Sequence, residues 1–154
     1  MIRPAQERDG KAIWLLNADS LGYNFPLGIT QKRLADLLLR EDHIILVCEE
    51  EGEVVGYAHA ASYDCLYFEP LLNLLALAVK TEARGKGYAR ALLKEIESLG
   101  QREGYHGLRI NSGIAREGAH ECYRKLGCEE KADQKRFFLR WETANEDWST
   151  ASDD

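Results

Sequence analysis

The sequence lacks any long hydrophobic run. Its most apolar stretch, LLNLLALAV at residues 71–79, is interrupted by Asn73, whereas a membrane-spanning helix needs about 20 apolar residues in succession. The N-terminal residues, MIRPAQERDG, do not contain the apolar core of a signal peptide. These two absences predict a protein that has no membrane partner and is located in the cytoplasm.

Cysteines in metal-binding arrangements are also missing. The chain has four cysteines, which form no CxxC pair and follow no metal-ligand spacing: Cys48, Cys65, Cys122 and Cys128. Free cysteine is among the residue types that are most often buried. We therefore expect reduced, partly buried thiols and no metal site.

Positive charge is in the minority. The 20 lysines and arginines are outnumbered by 26 aspartates and glutamates, which gives a formal net charge of −6. This balance argues against a nucleic-acid partner held by a basic surface. The apolar fraction of 45% and the length of 154 residues suit one soluble domain. We assign that domain to residues 1–143 and expect the acidic tail, residues 144–154, to be disordered.

The N-terminal half of the sequence predicts an edge strand, two helices and a hairpin. The edge strand is Met1 to Arg3, and the helices are RDGKAIWLLNADS and GITQKRLADLLLRED, the second with Thr30 as its N-cap. In HIILVCEEEGEVVGYAHAASY, two strand-like runs meet at Glu51-Gly52, which is a hairpin signal. The two-residue period of the second run places five side chains on one face: Val55, Tyr57, His59, Ala61 and Tyr63.

The C-terminal half predicts alternating strands and helices, so the whole chain is typical of a mixed α/β domain. The stretch 71–79 is apolar without alternation, as in a strand covered on both faces. GLRINS and KRFFLRW are further strands. The helix between the strand at 71–79 and GLRINS has a buried stripe at Ala89, Leu92, Leu93, Ile96 and Leu99. The last helix, AREGAHECYRKLG, ends at Gly127. Its inward-facing side chains are Ala119, Cys122, Tyr123 and Leu126.

The segment EARGKGYARALL, residues 82–93, combines features of an anion site. Gly85 and Gly87 lie at the start of a helix, where backbone N–H groups are unpaired and the helix dipole favours negative charge. Glycine lets the backbone approach a phosphate closely. The cations Lys86, Arg90 and Lys94 recur every four residues, so they share one helix face and repel each other unless a polyanion binds. The segment matches neither a Walker A loop nor a Rossmann fingerprint.

At the motif R-x-x-G-x-A, occupied by Arg84, Gly87 and Ala89, the chain resembles the GNAT superfamily of N-acetyltransferases. In that superfamily the motif binds acetyl-coenzyme A. The resemblance extends from IRPAQERDGKAIWLL to CYRKLGCEE. It implies a single-domain α/β fold of the α+β type: a mixed, mostly antiparallel sheet splayed between two central parallel strands, with helices on both faces.

The resemblance also implies a binding site for acetyl-coenzyme A. The pantetheine arm would pair with the backbone of the fourth strand at Leu77, Ala78 and Val79. The pyrophosphate would bind the loop amides of Arg84, Gly85, Lys86, Gly87, Tyr88, Ala89 and Arg90. Asn111, at the end of the fifth strand, would contact the cofactor as well. Tyr123 would lie within hydrogen-bond reach of the thioester sulfur.

The chemistry of amine acetylation requires a proton acceptor and a proton donor. A lysine-like amine has a pKa of about 10.4 and must lose a proton before it attacks, and the leaving thiolate must gain one. Tyr123 suits the donor, with an ordinary buried core tyrosine as the alternative. Many superfamily members carry a glutamate acceptor in the fourth strand, where this chain has Asn73. We therefore name Glu69 as the acceptor, acting through water, with Asp64 and His59 as alternatives.

The resemblance further implies that the acceptor amine enters over the first two helices and their connecting loop, NADSLGYNFPLG, and the loop before the fourth strand, YDCLYFEP, adds to this site. Aromatic and acidic side chains of these loops suit an amine-bearing substrate, and they equally suit ordinary loops that pack on the core: Tyr23, Phe25, Tyr63 and Asp64. We expect transfer of acetyl from acetyl-coenzyme A to a primary amine of a small molecule, by direct attack in a ternary complex. The alternatives are a peptide or protein amine, or a non-catalytic acyl-coenzyme-A-binding regulatory domain. A homodimer is a further expectation, because KRFFLRW could pair along an exposed edge.

Overall fold

The computed structural model describes residues 1–111, 117–125 and 127–141. The chain divides into two compact units, of which the described parts are residues 1–111 and, in the second unit, 117–125 with 127–141. The elements of the first unit are β1 (Ile2–Pro4), α1 (Gly10–Leu21), α2 (Leu27–Leu38), β2 (His43–Glu50), β3 (Glu53–Tyr63), β4 (Leu71–Val79), α3 (Tyr88–Arg102) and β5 (Leu108–Ile110). No helix in these ranges is long and apolar enough to cross a membrane.

The five strands form one sheet in the order of the chain. β1, β2, β3 and β4 are antiparallel neighbours, and β5 lies parallel to β4. Between β2 and β3, Glu51 and Gly52 both have positive φ angles, 54° and 79°, as a two-residue hairpin turn of type I′ requires. The predicted hairpin and the mixed, mostly antiparallel sheet are confirmed.

The helices cover both faces of the sheet, as predicted. On one face α1 and α2 pack over Val47, Tyr57 and Ala78 in a single buried cluster. On the other face α3 buries Leu92 and Ile96 completely, which confirms the predicted stripe. Gly100 allows α3 to approach this face, since a Cβ there would lie 2.9 Å from Leu72.

Two predicted helix positions are wrong. α2 begins at Leu27 after Pro26, so Thr30 lies within the helix and is not its N-cap. The Thr30 hydroxyl instead donates to the carbonyl oxygen of Pro26, four residues earlier, at 3.0 Å, as a threonine within a helix can. Pro26 has the extended backbone of an N-cap residue. α3 begins at Tyr88, so Lys86 precedes it and does not share a helix face with the later cations.

The second unit contains α4 (Glu117–Lys125), which confirms the predicted last helix over that range. Gly127 follows with a φ of 85°, the left-handed conformation expected of a C′ residue. The Tyr123 side chain is 8% exposed, and the Tyr123 carbonyl oxygen accepts the N–H of Cys128 at 3.0 Å. Ala119, Cys122 and Leu126 lie outside the described side chains, as does the predicted tail, residues 144–154.

The prediction of a strand at KRFFLRW is wrong. Residues 127–141 contain no strand, and β5 is the last strand within the described ranges. The apolar side chains of this segment are exposed, with Phe137 at 90%. A strand forms only where a neighbouring backbone edge accepts its hydrogen bonds, and none of the described strands pairs with this segment.

A buried ion cluster fixes β1 against the start of α1. The Arg3 guanidinium donates to both carboxylate oxygens of Asp9, at 2.8 and 2.9 Å, and to Glu49 Oε1 at 2.6 and 2.8 Å. Asp9 is 4% exposed and also accepts the N–H of Gln6. Burial alone would raise the pKa of Asp9, but the hydrogen bonds from Arg3 and Gln6 and the charge of Arg3 hold it below its usual value.

Asp9→Asn is expected to destabilise the protein by about 2 kcal/mol at pH 7, because it leaves Arg3 with less compensation for its burial. The folded pKa of Asp9 is below the unfolded value of about 3.9, so its stabilisation is present above that pH and is lost as the pH falls through the folded pKa. Urea unfolding at pH 7 and pH 3 measures both effects. Asp42→Asn, at the exposed pair with Arg40, should change little; an equal loss in both variants would contradict the assignment.

Candidate active site

The free edge of β4 is the first feature of the site. β5 pairs with only the first part of β4, so on that side no described strand pairs with β4 from Leu75 to Val79, about 16 Å of strand. The N–H of Lys80 donates to the carbonyl oxygen of Val55 on β3 at 2.7 Å. Because hydrogen-bonded pairs alternate along an antiparallel ladder, the backbone groups of Leu77 and Val79 point away from β3. The strand therefore offers an edge to which an extended ligand chain can bond.

Leu77 and Val79 differ in which backbone groups they leave available to a ligand. The Val79 carbonyl oxygen accepts the Ser20 hydroxyl at 3.2 Å and Nε of Arg84 at 3.3 Å. In the described part of the chain, no strand reaches the backbone of Leu77 on this side. Ala78, between them, belongs to the buried core. Leu77 is thus the position on this edge whose N–H and C=O can both serve a ligand.

A β-bulge lies where β4 leaves β5. His59 of β3 pairs with Ala76, but the next residue, Ala60, pairs with Leu74, so Leu75 is an extra residue in β4. A bulge leaves the extra residue unpaired and bends its strand. The Leu75 side chain is 49% exposed. The bulge therefore bends the strand and presents unpaired backbone at the point where the two parallel strands separate.

The loop between β4 and α3 continues from the free edge. Gly85 and Gly87 have φ angles of 80° and 86°, and a Cβ on either would meet only open space. The first helical hydrogen bond runs from the Ala91 N–H to the Gly87 carbonyl oxygen at 3.0 Å. The amides before it have no acceptor within the helix: Tyr88, Ala89 and Arg90. This open, glycine-containing helix start fits an anion.

The cations of this loop differ in their pairing. Lys86 Nζ lies 3.0 Å from Glu50 Oε2, and the Tyr88 hydroxyl also donates to Glu50. The hydrogen bond from Tyr88 has the larger effect and that from Lys86 the next, and both lower the pKa of Glu50. The hydrogen bond to Glu50 raises the pKa of Tyr88 to about 12. Arg84 is directed toward the end of β4, whereas Arg90 is exposed and forms no ion pair with a described side chain. Arg90 is therefore the loop cation whose charge is available to a ligand.

The other end of the sheet carries polar side chains on the face that α1 and α2 partly cover. His43, Ala61, Asn73 and Arg109 form one row across four strands. The Arg109 guanidinium carbon lies 4.1 Å from the centre of the Tyr63 ring. Its Nη1 donates to Asn73 Oδ1 at 3.3 Å. All of these side chains are half-buried, so the row is accessible from solvent.

Two histidines lie at one end of this row. His43 Nδ1 and His59 Nε2 are 2.8 Å apart, so one ring donates and the other accepts. Burial, followed by the charges of His43 and Arg33, lowers the pKa of His59 to about 4. Burial also lowers the pKa of His43. The pair is neutral at pH 7, and the low pKa makes His59 a weak general base.

The predicted substrate residues fall into two groups. In the connection between α1 and α2, Tyr23 is 60% exposed, and the Phe25 carbonyl oxygen accepts the Trp14 indole N–H at 2.6 Å. Beside it, the Tyr57 hydroxyl donates to Asn17, and burial raises the pKa of Tyr57 above its usual value. The second group lies around the end of β3 and contains Tyr63 and the exposed loop that follows.

The candidate proton acceptors lie on the loop between β3 and β4. Asp64 Oδ2 accepts the Ser62 hydroxyl at 2.9 Å, and Glu69 is exposed just before β4 begins. Asn73 accepts a hydrogen bond from Arg109 and has no carboxylate to take a proton. Asn111 is exposed directly after β5. Tyr123 lies on α4 in the second unit, so its role stays a prediction.

Sequence reasoning missed two parts of this site. The bulge at Leu75 has no signal in an unbroken apolar run, because it depends on the pairing with β3. The contact of Arg109 with Tyr63 joins residues far apart in the sequence. The alternation that placed Tyr63 and His59 on one face was a usable signal, but the alignment of β5 with β4 was needed to add Arg109.

Comparison with known proteins gives a family match over most of the chain. The model of the acetyltransferase (GNAT) family matches residues 11–128. N-acetyltransferase 8 of Rattus norvegicus is 27% identical over 96 residues, which make up 62% of this chain and 43% of that protein. The chain therefore spans less than half the length of this curated relative.

Solved structures match the fold over nearly the whole chain. A transcriptional regulator from Bacillus halodurans C-125 has a TM-score of 0.81 at 17% identity, covering 90% of this chain and 99% of its own. An aminoglycoside N-acetyltransferase in complex with CoA has a TM-score of 0.79 at 17% identity, covering 93% of this chain and 95% of its own. At 17% identity, these TM-scores establish a shared fold alone.

Proposed function

Because the chain belongs to the acetyltransferase (GNAT) family of acyltransferases, we propose that it transfers the acetyl group of acetyl-coenzyme A to a primary amine of a small molecule. One observation carries this proposal: the free edge of β4 is followed directly by the open amides at the start of α3. Both features lie in residues 1–111, which form one compact unit.

The edge of β4 and the start of α3 fit acetyl-coenzyme A. Its pantetheine arm is an extended chain with amide groups, which can bond to Leu77 as a neighbouring strand would. Its pyrophosphate suits the amides from Gly85 to Arg90, where the missing Cβ atoms leave open space. Arg90 adds a positive charge, while Glu50 reduces the positive charge available from Lys86. We therefore assign the pyrophosphate to the loop amides and Arg90.

When bound, acetyl-coenzyme A supplies an activated acetyl group. The chain's own task is to hold the acceptor amine and to move two protons. We assign the proton on the Tyr123 hydroxyl to the leaving thiolate, whose thiol has a pKa of about 8.5. A tyrosine with a pKa near 10 can hydrogen-bond to that thiolate or protonate it.

We assign the removal of the amine proton to Glu69, acting through water. Asn73 occupies the strand position of the usual glutamate, and an amide does not accept a proton at neutral pH. The His43–His59 pair is the second candidate, but its low pKa disfavours it. Glu69 is exposed at the start of β4, where water can connect it to an amine over the sheet.

The class of acceptor is supported by the structural neighbours. The aminoglycoside N-acetyltransferase with a TM-score of 0.79 acts, by its name, on a small-molecule amine. The transcriptional regulator with a TM-score of 0.81 supports a second candidate function: a regulatory domain that binds acyl-coenzyme A without turnover. A peptide amine is the third.

Release of coenzyme A in the presence of a panel of amines separates these candidates. We expect turnover with at least one small amine, together with an acetyl-coenzyme-A-dependent rise in melting temperature through mass action. A rise in melting temperature without turnover on any small amine or peptide would favour the regulatory domain. Turnover on peptides alone would move the proposal to a protein substrate, and a flat melting temperature would contradict all three candidates.

A further inference from the structure

The row across β2, β3, β4 and β5 has small side chains near its middle. Ala61 lies in the row, and Ala76 of β4 pairs with His59 next to it; both alanines are half-buried. The two histidines lie on one side of these alanines, and Tyr63 and Arg109 lie on the other. The bulge at Leu75 lies two residues beyond Asn73, about 7 Å along β4. The row therefore adjoins the edge of β4 that is assigned to the cofactor.

Two neighbouring side chains hold Arg109 in position at the end of this row. Tyr63 supports the guanidinium on one face, at 4.1 Å, and Asn73 accepts one of its N–H groups at 3.3 Å. Neither partner carries a negative charge. Among the described side chains, no carboxylate forms an ion pair with Arg109. The guanidinium thus keeps donors and a full positive charge for another group.

The surrounding charges favour an anion over a second cation. Arg33 of α2 is close enough to affect the pKa values of His43 and His59, and it also lacks an ion pair with a described carboxylate. The acids near this end of the sheet, Asp42, Asp64 and Glu69, are on flanking loops. Asp64 binds Ser62, and Asp42 binds Arg40. A polycationic amine bound beside Arg109 would meet the positive charge of that guanidinium.

We propose that the acceptor is an amine that also carries a carboxylate, such as a free amino acid, and that Arg109 binds the carboxylate. The planar guanidinium fork matches a carboxylate in two parallel hydrogen bonds, and Tyr63 and Asn73 orient it in advance. The amine then lies a few bonds away, toward the bulge at Leu75. This inference rests on the proposed acetyl transfer. It adds a carboxylate contact to the recognition by aromatic and acidic side chains, which stays a prediction.

Matched substrates test the proposal. Amino acids are compared with their carboxamides and with the corresponding decarboxylated amines, both for turnover and for calorimetric binding to the enzyme–coenzyme A complex. We expect kcat/KM to be at least about 10-fold higher for the amino acids. The carboxamides are less basic and hold more neutral amine at pH 7.5, so intrinsic reactivity does not explain such a preference.

Substitutions assign the effect to Arg109. Arg109→Gln should raise KM for amino acids about 10- to 100-fold and change KM for carboxamides little, while Arg109→Lys should retain part of the preference. Arg102→Gln, at an exposed arginine of α3 paired loosely with Glu95 at 3.9 Å, is the control and should match the wild type. The melting-temperature rise with acetyl-coenzyme A reports that each variant is folded.

Each outcome decides between the two proposals. Turnover that prefers carboxamides or decarboxylated amines, or an Arg109→Gln variant with wild-type KM, overturns the carboxylate site and leaves acetyl transfer in place. Binding of amino acids that depends on Arg109, without any turnover, supports the carboxylate site and contradicts the transferase proposal. No turnover and no binding of any amine contradicts both.

Discussion

Gly87→Trp is expected to weaken the binding of acetyl-coenzyme A by at least about 100-fold. A large side chain would occupy the space that the phosphate needs, and the phosphate would lose several charge-assisted hydrogen bonds. Gly87 has a φ of 86°, and a Cβ there points into open space. The folded chain has room for the new side chain, and only the left-handed conformation is strained, at about 1 kcal/mol. Titration calorimetry with acetyl-coenzyme A measures the loss.

Gly104→Trp is the matched control. Gly104 follows α3, has a φ of 89°, and likewise has open space around its missing Cβ. Both variants should lose similar stability, but only Gly87→Trp should lose the ligand. Normal binding by a folded Gly87→Trp protein, or equal losses in the two variants, would show that the loop does not hold the pyrophosphate.

Tyr123→Phe is expected to lower kcat about 100-fold, because the hydroxyl is assigned to the proton of the leaving thiolate. The Kd for acetyl-coenzyme A should change little, since the β4 edge and the loop amides provide that binding. Stopped assays with the best amine from the panel, and calorimetry on the same preparation, measure the two quantities.

Tyr105→Phe provides a control for the loss of a tyrosine hydroxyl. Tyr105 lies between α3 and β5, where its N–H donates to the Gly100 carbonyl oxygen, and its hydroxyl has no assigned role. We expect wild-type kcat there. A wild-type kcat in Tyr123→Phe would remove Tyr123 from the mechanism and leave it as a packed core tyrosine.

The parts of the fold that depend on local sequence were predictable. Glu51-Gly52 needed only neighbouring residues to specify a turn with positive φ angles, and the stripe containing Leu92 and Ile96 followed from the helical period. The motif at Arg84 to Ala89 identified the family, which the match over residues 11–128 confirms. Local chemistry also indicated the open helix start, because glycine and a helix N-terminus act within a few residues.

The parts that depend on tertiary contacts were not predictable. KRFFLRW has strand-forming residues, but a strand also needs an adjacent backbone edge. The pairing of Arg109 with Tyr63 required the register of β5 on β4 and of β4 on β3. The same register placed Arg109 beside Asn73, in the row to which the proposed carboxylate contact is assigned.

The most direct measurement of the central proposal is an amide proton–nitrogen NMR titration of the labelled protein with coenzyme A. We predict the largest shifts at the amides from Gly85 to Arg90 and at Leu77, with small changes at Gly52 and Gly104. Saturable binding that leaves the loop amides unshifted, and moves resonances elsewhere, would contradict the assignment of the pyrophosphate to the start of α3.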